Sequence, residues 1–290
     1  ISFIHFSRMI TTEKHLLYIL KVSRQQLDSI IENIDKYYST WEKPKLNKDT
    51  NEPLYNSDGT IKKRTINSTN KDLKVIQKRL YNYLLSKTTL PIYFFGGIPK
   101  KDNILNAKYH QGNKYVFTTD LKSFFPSINH KMVFYMFLKL GCTPEIARTL
   151  TKLTTHNYQV PQGVPTSTLI ANLVFKPVGD RIQALAKENN IKFSIFVDDI
   201  TMSSSIDFHK KIPEILSIIT TSGYKISHSK TFYKTKNPIV TGVICQNNKL
   251  KIPQSYNKRI KRIKADVQNN EQAFLKIKGL TMYRQRIKQA

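Results

Sequence analysis

Phe193-Ser194-Ile195-Phe196-Val197-Asp198-Asp199-Ile200-Thr201-Met202 sets two adjacent carboxylates between runs of β-forming apolar residues. Aspartate is a poor strand former, and its buried charge is costly unless a cation compensates it. A divalent metal ion would do so. Read at period 2, Phe193, Ile195 and Val197 fall on one face, so the Asp pair lies where one strand turns into the next and a hairpin presents it. On its own an Asp-Asp pair is more often a turn or a solvated helix start, so its meaning depends on the rest of the chain.

The chain has 290 residues, 40% apolar and 11% aromatic, enough for one large or two to three smaller domains with a real core; this excludes disorder throughout. Charge is the outlying quantity: 47 Lys and Arg against 20 Asp and Glu give +27, with a pI near 9.9. Such an excess calls for a polyanionic partner, either nucleic acid or an anionic membrane. No uncharged apolar run reaches the ~20 residues of a spanning helix, which argues against the membrane. The many Tyr and Phe offer stacking surfaces for unpaired bases. Cys142 and Cys245 stand far apart, with neither zinc spacing nor a disulfide framework, so a reducing, cytoplasmic compartment is expected. No export signal is recognisable at the start, and the chain opens on Ile1 rather than Met, so the true start can lie upstream.

Ser23 caps a predicted helix through about Tyr38, with Leu27, Ile30, Ile31 and Ile34 on one stripe. Residues 42–70 read as strands and loops, and a second helix is expected over about Asp72 to Lys87. An Asn- and Lys-rich loop containing Gly96-Gly97 leads to the strand Tyr115–Asp120. Helices are then expected from Asn129 to Leu140, from Pro144 to about Thr154, and after Pro165, this last one kinked by Pro177. After the Asp-Asp hairpin come a helix from about Phe208 to Ser222, short strands to Ile252 and a basic helical tail. This order describes an α+β fold with helices packed on one face of an antiparallel sheet.

Asp120 ends the apolar strand Tyr115–Asp120. Two strands of one sheet could bring it beside Asp198 and Asp199, a three-carboxylate cluster for two divalent metals ~3.5–4 Å apart, as phosphoryl transfer from a nucleotide requires. Hard oxygen ligands favour Mg²⁺, with Mn²⁺ as a substitute. Taken singly, Asp120 is more often a strand-end cap or a surface residue.

Three further stretches accompany the pair: Asp120-Leu121-Lys122-Ser123-Phe124-Phe125-Pro126-Ser127, Val160-Pro161-Gln162-Gly163-Val164-Pro165-Thr166-Ser167-Thr168-Leu169-Ile170-Ala171-Asn172, and Ser222-Gly223-Tyr224-Lys225-Ile226-Ser227-His228-Ser229-Lys230-Thr231. With these in order the chain resembles a reverse transcriptase. Asn106-Ala107-Lys108-Tyr109-His110 and Val240-Thr241-Gly242 resemble two elements particular to the bacterial retron enzymes. The resemblance covers roughly residues 23 to 285. It implies Asp120, Asp198, Asp199 and Lys230 as catalytic residues, with Lys230 a general acid at the leaving diphosphate. Asp120, Leu121, Asp198 and Asp199 are the implied metal positions. Phe125 is implied as a steric gate against a 2′-hydroxyl, and Gln162 as a contact to the incoming nucleotide. In the fingers, Lys62-Lys63-Arg64-Thr65-Ile66 resembles the basic segment at the triphosphate, through Arg64 or Lys63. Phe196-Val197 stands where the family most often has Tyr-Ala.

The implied RNA contacts are Asn106, Ala107, His110, Val240, Thr241 and Gly242. In the tail, Tyr256, Ile260, Ile263 and Val267 keep helical spacing, while Lys258, Arg259, Lys261, Arg262 and Lys264 fill the other faces. Lys258, Arg259 and Arg262 are therefore expected on RNA phosphates, with salt-sensitive and sequence-independent binding.

The resemblance implies a right-hand polymerase: an N-terminal helical region over 1–40, fingers over 41–115, palm with some fingers elements over 116–236, and primer-grip strands with a short basic helical thumb over 237–290. It implies a cytoplasmic bacterial RNA-directed DNA polymerase of a retron. Such an enzyme copies a cognate structured non-coding RNA, primed from a 2′-hydroxyl, into branched RNA-linked DNA, using deoxynucleoside triphosphates. A role in antiphage defence with an effector protein goes with it. Another bacterial reverse transcriptase, of abortive-infection or intron type, and an inactive RNA-binding scaffold remain as alternatives.

Overall fold

The computed structural model describes residues 9–47, 52–265 and 271–290. Val267, expected on the apolar stripe of the tail, and the first eight residues of the N-terminal region lie outside them.

Helices α1 (Glu13–Leu20) and α2 (Arg24–Glu32) open the described chain. Ser23 and Gln26 form a capping box on α2, each side chain accepting from the other's backbone N–H. The helix expected to reach Tyr38 stops at Glu32; Ile34–Tyr37 form a 3₁₀ turn and the β-forming residues Tyr38, Thr40 and Trp41 enter strand β1 (Tyr38–Pro44). Strand β2 (Lys63–Thr69) pairs with β1, and Asn70 caps α3 (Lys71–Lys87). The loop expected before Tyr115 contains a helix, α4 (Asn103–His110), capped by Asp102, whose carboxylate accepts from the Leu105 N–H. Strand β3 (Tyr115–Asp120) follows, then α5 (Phe124–Ser127), α6 (His130–Lys139) capped by Asn129, α7 (Pro144–Thr154) and α8 (Ser167–Glu188), which runs on through Pro177. Strands β4 (Lys192–Phe196) and β5 (Asp199–Ser204) form the expected hairpin. Helix α9 (Ile212–Thr221) begins later than expected, because His209–Lys211 take a 3₁₀ turn and Pro213 suits the first helical turn. Strands β6 (Phe232–Lys234), β7 (Ile239–Val240), β8 (Val243–Cys245) and β9 (Leu250–Lys251) precede helices α10 (Gln254–Ala265) and α11 (Glu271–Gln289).

These elements form two compact units, each built from separated stretches of chain. The first comprises the described residues to Lys43, Lys63–Ile92 and Ser123–Gly179. Its core includes Leu73, Ile76, Leu80 and Leu84 of α3 and Ile146, Leu150 and Leu153 of α7. Burial of each such side chain contributes about 1.5–3 kcal/mol. The buried Gln77 amide donates to the Leu153 carbonyl (2.9 Å) and to the Tyr38 hydroxyl (3.1 Å), so its polar group is satisfied inside that core.

The second unit comprises the described residues of Pro44–Lys62, Tyr93–Lys122 and Asp180–Ala290. It holds a four-stranded sheet in the order β4-β5-β3-β6 and a three-stranded sheet in the order β7-β8-β9, antiparallel at every pairing. Ile104 and Ala107 of α4, Val116, Val240, Val243, Cys245, Leu250 and Ile287 of α11 form one buried cluster there. The α+β class thus holds. Among the described residues no helix is long and apolar enough to cross a membrane.

Candidate active site

The sheet of the second unit brings the carboxylates together by register. On the antiparallel pair β3–β5, Asp120 lies directly opposite Asp199. On β4–β5, Phe196 lies opposite Asp199, so Val197 and Asp198 form a two-residue turn. Val197 takes φ +61°, a left-handed conformation that a β-branched side chain rarely adopts. The turn is tied to the end of β3, for the Leu121 N–H donates to the Asp198 carbonyl at 2.9 Å. Beyond β3, Leu121 bridges Ile226, the Lys122 N–H donates to the Lys225 carbonyl (2.7 Å), and the Ser227 N–H donates to the Asp120 carbonyl (2.8 Å). These bonds deliver Lys230, whose ammonium donates to Asp120 Oδ2 at 2.7 Å.

Burial and the negative charge of Asp120 raise the pKa of Asp198, against the opposing charges of Lys230 and Lys45. For Lys230, burial works to lower the pKa, but the hydrogen bond to Asp120 and the charges of Asp120, Asp198 and Asp199 outweigh it and leave it raised. The site is therefore short of positive charge, and its donors are hard oxygens; that chemistry fits a divalent cation. The expected three-carboxylate cluster is nevertheless not assembled: among the described residues no three His, Cys, Asp or Glu side chains are grouped closely enough to hold a metal. Register sets the backbone of Asp120 opposite that of Asp199, and Lys230 occupies an oxygen of Asp120. Leu121 has no side-chain donor, so only its backbone carbonyl is available to an ion.

The residues expected at the nucleotide belong to the first unit. Lys63 is ion-paired with Glu42 (2.9 Å) on the surface, and Arg64 is exposed on the same strand. Phe125 lies half-buried in α5 against Phe124, and Gln162 is half-buried. The loop of Gln162 is fastened to β2, where the Asn67 N–H donates to the Gln162 carbonyl (2.8 Å). Gly163, at φ +115°, approaches so closely that a Cβ there would lie 2.7 Å from the Asn67 carbonyl oxygen. Gly163→Ala is expected to lower stability by roughly 1–3 kcal/mol through backbone strain alone; an unchanged denaturation midpoint would show that the loop has slack.

The two short retron-type elements require a correction. Asn106, Ala107, His110 and Val240 are fully buried and present no surface to RNA. They join helix α4 to the two sheets of the second unit instead. His110 hydrogen-bonds Ser203 Oγ of β5 and Ser194 Oγ of β4, each at 2.7 Å. Burial, with the Lys192 charge adding to it, pushes its pKa down to about 3, so the imidazole is neutral. Thr241 and Gly242, at φ +44° and +85°, form the two-residue turn between β7 and β8, the left-handed pair that a tight hairpin needs. The Thr241 hydroxyl donates to the Asn103 carbonyl (3.1 Å), and the Asn103 amide donates back to the Thr241 carbonyl (3.0 Å). The Asn106 amide also donates to the Thr241 hydroxyl (3.4 Å), so the two elements meet in one interlock. In α10, Ile260 is buried while Lys258, Arg259, Lys261, Arg262 and Lys264 are exposed, as the spacing required.

Sequence reading missed α4, the charge of Lys45 acting on Asp198, and the bracing role of His110. Asp102 ahead of Ile104 and Ala107, a cap before helically spaced apolar residues, was the available signal for α4. Nothing local marked the other two, which are contacts between distant segments.

The family model described as "Reverse transcriptase (RNA-dependent DNA polymerase)" matches residues 46–270. The chain is similar to the retron Ec86 reverse transcriptase of Escherichia coli, 29% identical over 204 residues that cover 68% of this chain and 63% of that protein. It is 30% identical to the retron Se72 reverse transcriptase of Salmonella heidelberg over 219 residues, 73% of this chain and 55% of that one. With the retron Ec48 reverse transcriptase of Escherichia coli it shares 28% identity over 279 residues, 90% of this chain and 64% of that one. The chain thus spans less than two thirds of the length of each of these relatives.

Proposed function

Because the chain belongs to the reverse transcriptase family, we propose that it is an RNA-directed DNA polymerase of the retron type. The observation that carries this is the pairing of Asp120 with Asp199 beside a turn that presents Asp198, with the Lys230 ammonium on Asp120.

Two divalent ions, with Mg²⁺ suited to these donors, would lower the pKa of the attacking hydroxyl and neutralise charge on the leaving diphosphate when bound. Asp120, Asp198 and Asp199 are the residues that would hold them, with the Leu121 carbonyl adjacent. Lys230 keeps its proton through neutral pH, since its pKa is raised, and so holds a donor ready for a departing diphosphate oxygen. Phe125 and Gln162 carry the sugar and nucleotide contacts in this assignment, with Arg64 or Lys63 at the triphosphate. The exposed cations of α10 supply phosphate contacts along the template-primer. We assign β3, β4 and β5 to the palm, the segment around β1 and β2 to the fingers, and α10 and α11 to the thumb.

Similarity to retron reverse transcriptases supports a structured RNA as template and a 2′-hydroxyl of that RNA as primer, giving a branched product. The test is primer extension on an RNA template with deoxynucleoside triphosphates and Mg²⁺, alongside isolation of nucleic acid that co-purifies from the native host. Metal-dependent DNA synthesis and a 2′-linked branch are expected. Absence of product with both Mg²⁺ and Mn²⁺ would leave only RNA binding by a scaffold.

A further inference from the structure

Segment Tyr93–Gly96 runs along β4, the outer strand of the four-stranded sheet. The Ile195 N–H donates to the Tyr93 carbonyl (2.8 Å), the Phe95 N–H donates to the Ile195 carbonyl (2.9 Å), and Phe94 bridges Ile195 in parallel. Lys101 fastens the segment from behind, its ammonium donating to the Phe94 carbonyl (2.8 Å) and lying 4.6 Å from the centre of the Phe95 ring. This backbone pairing carries Gly96 level with the turn that presents Asp198.

There the fit is closer than any side chain allows. A Cβ on Gly96 would overlap the Val197 backbone nitrogen, and would lie 2.7 Å from Val197 Cγ2 and 2.8 Å from the Phe196 carbonyl carbon. Torsion does not explain the glycine. Positive φ belongs to its neighbour Gly97, at +70°, and not to Gly96, which is glycine for lack of space. Val197 meanwhile holds a left-handed conformation that costs about 1–2 kcal/mol and persists only where the surroundings over-determine it. Two contacts do so: the Leu121 N–H on the Asp198 carbonyl, and the bare backbone of Gly96 against Phe196 and Val197.

We propose that Gly96 is a positioning residue for the carboxylate pair, fitted to Val197 so that the space left by its missing side chain sets where the turn places Asp198 and Asp199. The proposal rests on the polymerase reading and adds to it a residue that touches neither nucleotide nor metal. It also gives Phe196-Val197, the departure from the usual Tyr-Ala, a structural counterpart: the larger Val197 is accommodated against a residue with no side chain at all. Any substituent at position 96 must displace the turn by a distance on the order of 1 Å, a shift that costs about 100-fold in rate when catalytic groups move with it.

Steady-state primer extension on an RNA template tests this, with dNTP concentration varied and RNA affinity measured in parallel. Gly96→Ala is expected to lower kcat about 100-fold while the dNTP KM and RNA affinity stay within about threefold, because the turn and not the binding surfaces moves. Adding Val197→Gly removes Cγ2 and lets the turn backbone yield, so the double variant should recover at least about tenfold in kcat over Gly96→Ala. A Gly96→Ala kcat within threefold of the parent overturns the proposal. So does a double variant no more active than Gly96→Ala, including the case in which the single variant fails to fold. A parent protein that makes no DNA overturns the polymerase reading itself, and this inference with it.

Discussion

Asp198→Asn is expected to abolish DNA synthesis while leaving the protein as stable as its parent or more so. The substitution keeps the shape of the side chain and removes its charge. In the parent, that charge sits half-buried beside Asp120, and its raised pKa shows that the native state holds the proton more tightly than the unfolded chain does. The ionised carboxylate therefore opposes folding at neutral pH, and protonation relieves the opposition as pH falls through the raised pKa toward the ordinary value of 3.8. The stability advantage of the Asn variant should be largest near pH 7 and shrink on acidification through that window. Catalysis moves the other way. Metal-centred charge stabilisation contributes several kcal/mol to such reactions, and at ~1.4 kcal/mol per tenfold its loss lowers kcat about 1,000-fold or more. RNA affinity should hold, since the exposed cations are untouched. Denaturation midpoints at pH 7 and pH 4.5, with primer extension, check both halves. Extension within tenfold of the parent would remove Asp198 from the chemistry.

His110→Ala is expected to destabilise the protein by about 3–5 kcal/mol, combining a cavity with the loss of both imidazole hydrogen bonds. Ser194 and Ser203 are completely buried, and His110 ties these two strands of the Asp198-Asp199 hairpin to α4. The melting temperature should fall by roughly 10 °C. His110 also gives the parent a pH dependence of definite sign. Its folded pKa is depressed to about 3 from the ordinary 6.5, so between these values the unfolded chain binds a proton that the native state refuses. This contribution to stability is complete above 6.5 and declines as pH falls, by about 1.4 kcal/mol per unit. Urea midpoints between pH 7 and pH 5 should show the loss in the parent and a shallower slope in His110→Ala. Equal slopes would mean that the imidazole titrates freely and does not brace the hairpin.

The consequence for the Asn-Ala-x-x-His and Val-Thr-Gly elements follows from the same burial. As short polar motifs in a protein of charge +27 they suggest RNA contacts, yet His110 is spent inside the second unit on Ser194 and Ser203, and the Asn106 amide donates to the Thr241 hydroxyl. Thr241 and Gly242, at the tip of a hairpin, retain exposure, as do the intervening Lys108 and Tyr109. A motif announces that a residue type is needed at a position; it does not say whether the need is for contact or for packing.

By itself the sequence determined what depends on near neighbours. The Ser23 and Asn129 caps, the α7 boundaries at Pro144 and Thr154, the strand ending at Asp120 and the hairpin around Asp198-Asp199 all follow from periodicity, capping and turn chemistry within a few residues. Family membership was legible for a related reason, since the order of short motifs along the chain can be read without any knowledge of their contacts. Tertiary structure alone decided which distant groups meet. That Asp120 faces Asp199 is a consequence of strand register, and that Lys230 reaches Asp120 across 110 positions, that His110 bridges two strands, and that Gly96 has no room for a methyl group against Val197 depend on how other segments pack onto those strands. Register is set by many weak contacts acting together, and a one-residue slip would reverse every face. No local pattern could have carried that information.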